Sequence, residues 1–251
     1  MKKNNKKLNI KEIIIDIGLD EVGRGSLFGP LVIASFMIIK IDNKNPYQKI
    51  ELKDSKKLTY NQRLDLFKKI INIIKNNKDI SKIYFCFISN DIIDKINILN
   101  ANLLGFEKLI IQNLKNILNN KVIVKNINKV KHINFYIDGD KKPKDIENKI
   151  QEFLKTYHSF EMLKNKINIL NYIKGDSNIK VIQAAAILAK VTRDKYIQYL
   201  SKKYPIYDSR YNLYNNKGYY EEAHIKGIKN YGLTIYHRKS FLKKYLQQTL
   251  F

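Results

Sequence analysis

The sequence predicts an α/β protein built in layers, and three observations predict it. Apolar runs of strand length at residues 13–19, 31–41, 83–89, 133–138 and 167–173 alternate along the chain with segments whose apolar residues recur at helical spacing. No internal repeat or clear linker breaks that alternation. At 251 residues with 44% hydrophobic content, the chain is long enough to bury a sizeable core, as one large domain or two small ones.

Residues 1–11 read as a loose basic tail. The first strand, 13–19, runs directly into Asp20-Glu21-Val22-Gly23-Arg24-Gly25, a glycine-rich turn that leads to the second strand, 31–41. Residues 53–57 form a basic loop. Thr59-Tyr60-Asn61-Gln62 then has the pattern of a capping box, opening a helix that carries Leu64, Phe67, Ile70, Ile71 and Ile74 inward. The third strand, 83–89, contains Cys86. A longer helix is expected over 97–118, and the strand 133–138 ends on Asp138. Ile146, Ile150, Phe153, Leu154 and Tyr157 recur at helical spacing, which predicts one amphipathic helix over 145–164. The strand 167–173 leads to Asp176. The alanine-rich stretch after Ile179 reads as a buried helix reaching about Tyr204, with further helices over 220–230 and 240–248.

Composition narrows the function classes. Lys or Asn interrupts every apolar run before it reaches membrane-span length, so no membrane role is expected. The basic N-terminus is not followed by the apolar stretch and cleavage site of a secretory signal, and a cytoplasmic location is expected. A single cysteine excludes an internal disulfide and a cysteine-based zinc site. The net charge of +24 suits a polyanionic partner whose binding weakens as salt rises, although a Lys-, Asn- and Ile-rich bias from an A/T-rich genome gives a second source for the charge.

The junction after the first strand carries the chemistry. A strand ending on two carboxylates offers oxygen ligands to a hard divalent cation, and the glycines beside it offer bare backbone N–H groups. Asp138 also ends a strand, and Asp176 sits just before a helix. Carboxylates at strand ends of one sheet edge can meet in space although distant in sequence. Metal-assisted phosphodiester hydrolysis needs such a meeting. Taken singly, each acid also reads as a solvated turn residue.

Several blocks, in order, are similar to those of ribonuclease HII: Asp20-Glu21-Val22-Gly23-Arg24-Gly25, Lys53-Asp54-Ser55-Lys56-Lys57-Leu58, Ile137-Asp138-Gly139, Gly175-Asp176, the stretch from Ala184 to Asp194, Lys217-Gly218-Tyr219 and His237-Arg238-Lys239-Ser240-Phe241. They span nearly the whole chain. The resemblance implies a ribonuclease H-like fold, a mixed central sheet flanked by helices, with a catalytic domain over 12–204 and a mostly helical region over 205–251 packed on it. It implies that Asp20, Glu21, Asp138 and Asp176 hold two ions, Mn²⁺ or Mg²⁺, with Asp20 shared between them. One ion would serve the attacking water and the other the leaving 3′ oxygen, giving 3′-hydroxyl and 5′-phosphate ends. The implied substrates are RNA–DNA hybrids and duplex DNA containing ribonucleotides, cut by a monomer.

The same resemblance makes Gly23, Arg24 and Gly25 the sensor of the RNA–DNA junction and Tyr219 the ring against the deoxyribose on its 3′ side. Ser55, Lys56 and Lys57 are either phosphate contacts or a solvated basic loop. Lys190 and Arg193, three apart on one helix, either touch the duplex backbone or pair with Asp194 and its neighbours. His224, His237 and Arg238 read as supporting or packing groups, Asp140 as a turn residue, and Asp16 as lying on an exposed strand face. The chain departs from the family pattern at Ser26, Phe28, Ala186, Asn216 and Tyr220-Glu221, and its stretch between Asp138 and Asp176 is longer than usual for bacterial members. The C-terminal Gln247-Gln248-Thr249-Leu250-Phe251 resembles peptides that dock on the bacterial sliding clamp; a helix end packed on its own domain is the other reading. Two rival functions remain: a ribonuclease HIII-type enzyme, against which Arg24 and the short tail stand, and a basic nucleic-acid-binding protein without catalysis.

Overall fold

A computed structural model of the chain describes residues 10–45, 47–48, 50–52 and 57–246. In chain order its elements are β1 (Ile13–Val22), β2 (Leu31–Ile41), α1 (Tyr60–Asn76), β3 (Ser81–Ile88), α2 (Asn90–Asn119), α3 (Lys121–Lys125), β4 (Val130–Asp138), α4 (Ile146–Lys155), β5 (Ile167–Tyr172), α5 (Gly175–Asn178), α6 (Lys180–Lys203), α7 (Pro205–Tyr211), α8 (Leu213–Asn216), α9 (Glu222–Tyr231) and α10 (Lys239–Leu246). The five strands form one mixed sheet in the order β3-β2-β1-β4-β5. β1, β2 and β3 pair antiparallel, while β4 runs parallel to β1 and β5 parallel to β4.

Side chains alternate across a strand, and β1 has two assignments to satisfy. Ile13, Ile15, Ile17 and Leu19 face one core, shared with Phe106, Leu109, Ile110 and Leu114 of α2 and with Ile146 and Ile150 of α4. The other face of the sheet, with Ala34, Phe36 and Ile38 of β2, packs on Ile70 of α1 and the alanine-rich flank of α6. The strands are apolar on both faces because helices cover both. Gly18 marks the closest approach: a Cβ there would stand 2.1 Å from the backbone of Val181, so only glycine lets α6 lie this near β1. A third cluster joins Leu27 and Phe28 to Ile197 and Leu200 of α6, Tyr211 and Leu213, and Ile225 and Ile228 of α9.

The capping box at the start of α1 is present, with Gln62 N–H donating to the Thr59 hydroxyl and the Gln62 side chain accepting from Thr59 N–H. The helix expected from Asn97 is continuous with an earlier turn, but Asn97 itself breaks helical geometry (φ 65°, ψ 166°). Its side chain caps the next helical turn, accepting from Asn100 N–H at 3.0 Å. The single helix expected over 145–164 is a correction. It stops at Lys155, where the Thr156 hydroxyl turns back onto the Phe153 carbonyl at 2.7 Å, and a 3₁₀ segment, His158–Lys166, comes next. Asp16 is a second correction. It is buried, not on an exposed face, because α6 covers that side of the sheet. There it pairs with Lys40, and Asn134 donates to it at 2.9 Å.

Candidate active site

Topology brings the acids together. β1 and β4 are adjacent and parallel, paired in register as far as Leu19 and Ile137, so Asp20 and Asp138 come next along two neighbouring strands. Strand spacing alone then sets their backbones about 4.8 Å apart. Asp176 arrives from the loop after β5 on the first turn of α5, where its N–H donates to Asp138 Oδ1 at 3.3 Å. Carboxylate oxygens of Asp20, Asp138 and Asp176 all lie within 4.8 Å of one another.

Glu21 is not part of that cluster. Being next to Asp20 on a strand, it projects to the opposite side of the sheet edge. It ion-pairs with Arg24 at 3.4 Å and lies beside Asn102 of α2. It still lines the same cleft, of about 470 Å³, together with the three aspartates, Arg24, Arg63, Ala186, Lys190 and Tyr219.

Burial and then the neighbouring Glu21 and Asp138 push the Asp20 pKa well above the usual carboxylate range; the Glu21 N–H, donating to Asp20 Oδ1 at 2.7 Å, opposes this. Burial likewise raises Glu21, with Arg24 pulling the other way and Asp138 adding to the rise. Clustered carboxylates held out of water are what a bound cation would offset. The donor set is all oxygen, and Glu21 Oε2 is a buried acceptor without a partner, so the residues fit a hard divalent ion.

The turn above the acids is held by buried groups. Gly23 has φ +94°, and a Cβ on it would stand 2.3 Å from Arg193 Nε. The expected pairing of Lys190 and Arg193 divides: Lys190 pairs with Asp194 at 3.0 Å and lies over the Tyr219 ring, 5.3 Å from its centre. Arg193 does not reach solvent at all. It donates to Pro30 O, Lys217 O, Ser26 Oγ and Phe28 O, because the helix face it shares with Lys190 turns inward one turn on. Ser26, one of the departures from the family pattern, has its hydroxyl 2.8 Å from both Phe28 O and Gly218 O, with one proton to share between them. Asn216, another, accepts from Gly218 N–H and donates to Tyr211 O, both at 2.7 Å. These contacts lock the Lys217-Gly218-Tyr219 segment against the turn and set the half-buried Tyr219 at its rim.

His224 and His237 pack below Tyr219. Thr234 N–H donates to His237 Nδ1 at 2.9 Å, so His237 carries its proton on Nε2 and passes it toward His224 Nε2 at 3.1 Å; His224 Nδ1–H in turn donates to Tyr219 O at 2.9 Å. Both rings are therefore neutral. Burial, then His224, lowers the His237 pKa to about 3, and burial lowers His224. An unfolded histidine binds a proton below about pH 6.5, while folded His237 does not until about pH 3. Stability from this residue is complete above the unfolded value and falls with pH across that window, by about 2 kcal/mol at pH 5. Urea midpoints at pH 7.5 and pH 5 should differ more for the parent than for His237→Gln, and equal differences would reject this account.

Of the other expected residues, Gly25 is exposed, Asp140 lies at a bend after β4, and Lys57 is exposed. Ser55, Lys56 and the Gln247–Phe251 peptide lie outside the described residues. Arg63 was not anticipated; its place on the first polar turn of α1, beside the capping box, was the available signal.

A mixed sheet in this order, covered on both faces and carrying carboxylates at the C-terminal ends of its parallel strands, puts the chain in the class of ribonuclease H-like nucleases. A family model described as Ribonuclease HII matches residues 17–245. The ribonuclease HII of Pelagibacter ubique is 37% identical over 224 residues, covering 89% of this chain and 94% of its own length. That of Ehrlichia canis is 34% identical, covering 94% and 90%. Among solved structures, ribonuclease H2 from Pyrococcus horikoshii OT3 is similar with a TM-score of 0.57 and 27% identity, covering 93% of this chain and 98% of its own. Ribonuclease HII in the PCNA complex from Archaeoglobus fulgidus has a TM-score of 0.59 at 20% identity, covering 94% and 97%, and shares the fold. The chain belongs to the ribonuclease HII family. It is a metal-dependent endoribonuclease of the ribonuclease H type, a family that acts on RNA–DNA hybrids. Among the described residues no helix is long and apolar enough to cross a membrane.

Proposed function

We propose that the protein cuts the RNA strand of RNA–DNA hybrids and incises on the 5′ side of ribonucleotides embedded in duplex DNA, using two divalent ions, Mn²⁺ or Mg²⁺, in the cytoplasm and as a monomer. The observation that carries this reading is the convergence of Asp20, Asp138 and Asp176 within ligand reach, in a cleft that Gly23, Arg24 and Tyr219 also border. Asp20, Asp138 and Asp176 would hold the ions, which when bound would supply activation of the attacking water and neutralise charge on the phosphate, consistent with 3′-hydroxyl and 5′-phosphate ends. Asp20 interacts with all three other acids, which suits it to be the shared ligand; Asp138, Asp176 and the unpartnered Glu21 Oε2 complete the set.

The chain's own groups do the selecting. Gly25 has no protein atom within 4 Å of where a Cβ would stand, so space for a sugar remains beside the turn's backbone. Only RNA offers a 2′-hydroxyl to that backbone. Arg24, half of whose side chain is exposed, and Lys190 present cations to the phosphates, and the Tyr219 ring supplies an apolar face for a deoxyribose. Ser55 and Lys56 are proposed as further phosphate contacts from the sequence alone, and Gln247–Phe251 as a sliding-clamp tether. Deleting Leu250 and Phe251 without loss of clamp affinity would remove the tether.

The test is a divalent-metal titration on a duplex with one ribonucleotide. Cleavage directly 5′ of that residue, dependent on metal and absent on the all-DNA duplex, supports the reading. Binding that shifts the duplex without cutting it, at any Mn²⁺ or Mg²⁺ concentration, would sink it.

A further inference from the structure

The Gly23-Arg24-Gly25 turn rests on a buried guanidinium. Arg238, fully buried, donates from Nη1 to the carbonyls of Gly23 at 2.7 Å and Arg24 at 3.0 Å, and from Nε to the carbonyl of Gly29 at 3.0 Å. Its own N–H donates to Leu27 O at 2.9 Å, and the adjoining His237 forms a bridge with Phe28, so backbone pairing fixes where the side chain begins.

A trans peptide unit is planar, with its C=O and the next residue's N–H pointing opposite ways. A group that draws the Gly23 and Arg24 carbonyls inward therefore turns the N–H groups of Arg24 and Gly25 outward. Among the described residues, neither of those N–H groups finds a protein acceptor. They are left as open donors on a turn whose Gly23 and Arg24 line the cleft.

Packing alone does not account for the charge. Burial and then the nearby Arg193 lower the Arg238 pKa to about 9, so it stays charged at neutral pH at a desolvation cost. Its Nη2 is buried without a partner, and the Phe241 ring at 5.3 Å is an apolar neighbour. An aliphatic side chain would fill this volume more cheaply. What the rigid guanidinium adds is to hold the Gly23 and Arg24 carbonyls through Nη1 while Nε anchors the same plane to Gly29 O.

We propose that Arg238 is the positioning residue for sugar discrimination: it touches no substrate, but its grip on the Gly23 and Arg24 carbonyls aims the N–H pair that recognises a ribose. This rests on the turn being the ribose-reading element proposed above.

The test is steady-state cleavage by the full chain of a single-ribonucleotide duplex, with the all-DNA duplex of the same sequence as competitor. For the parent, KM for the ribonucleotide duplex lies below Ki for the DNA duplex. In Arg238→Lys, Ki stays constant while KM rises, so Ki/KM falls about tenfold, one or two hydrogen bonds' worth. A fall in kcat alone with Ki/KM intact is what a merely structural residue gives, and it overturns the proposal. If Arg238→Lys does not fold, Arg238→Gly assayed with and without low-millimolar guanidinium replaces it. Restored Ki/KM supports the proposal, and restored kcat without restored Ki/KM overturns it. A parent with KM equal to Ki would instead overturn the reading of the turn, and this inference with it.

Discussion

Replacing Asp20 by Asn lowers cleavage of a hybrid duplex by at least about a thousandfold, roughly 4 kcal/mol of transition-state stabilisation, while making the metal-free protein more stable than the parent. The two effects have one cause. Asp20 is 6% exposed, and its charge is opposed by burial, by Glu21 and by Asp138. A carboxyl whose folded pKa is raised contributes stability that is complete below its unfolded value, near pH 4, and lost as pH rises through the folded value. The ion-free parent therefore loses this stability as pH rises above about 4, through burial and repulsion by Glu21 and Asp138. Asparagine removes the charge, keeps the shape, and leaves an oxygen to accept the Glu21 N–H that Asp20 Oδ1 accepts at 2.7 Å.

Melting curves in chelator should thus place Asp20→Asn above the parent at pH 7.5, with the gap closing toward pH 4. Adding Mn²⁺ should reverse the order. An ion at a hundred times its dissociation constant stabilises the parent by about 2.7 kcal/mol, and the variant, without the carboxylate proposed as the shared ligand, gains far less. A parent unaffected by Mn²⁺ and an Asp20→Asn variant no more stable in chelator would together contradict the site.

The parts of this site that were legible in sequence are those set by one element at a time. The apolar run from Ile13 to Leu19 locates β1, although the strand continues through Asp20 and Glu21 to Val22, and the capping box fixes the start of α1 to the residue. What sequence does not carry is which side of an element meets which neighbour. Asp20 and Glu21 look like a pair, yet strand alternation sends them to opposite sides, and only Asp20 joins the aspartate cluster. Asp16 looked solvated because its partners, Lys40 on β2 and Asn134 on β4, are distant along the chain. α7 and α8, at seven and four residues, are too short to show a period, and were not anticipated. The helix expected over 145–164 failed because a threonine hydroxyl can satisfy a carbonyl locally, which apolar spacing does not register.

Arg193 shows the same gap most sharply, and its replacement is the second large effect expected. Lys190 and Arg193 belong to a helix buried almost all round, so amphipathic spacing gives no inner or outer face to read. The fold places Arg193 where four acceptors converge: Pro30 O at 3.0 Å, Lys217 O at 3.0 Å, Ser26 Oγ at 2.6 Å and Phe28 O at 2.9 Å. Three are backbone carbonyls of irregular segments, which have no regular ladder to satisfy them. Arg193→Met keeps most of the volume and removes every donor. Truncating one side of a buried charged network costs about 3–5 kcal/mol, because the acceptors left behind lose both the charge and the water they gave up on folding. The guanidinium also lies 5.1 Å from the Tyr219 ring centre, so Tyr219 loosens with it. Urea unfolding should show the midpoint falling at unchanged slope, and KM for duplexes carrying a ribonucleotide should rise even where the variant is fully folded. Lysine at this position restores the charge and three donors on one nitrogen but not their planar spread over Nε, Nη1 and Nη2, and should recover only a minor part of the loss. A midpoint within about 0.5 kcal/mol of the parent would mean the four acceptors find other donors, and that the turn and the Tyr219 segment are not held through this residue.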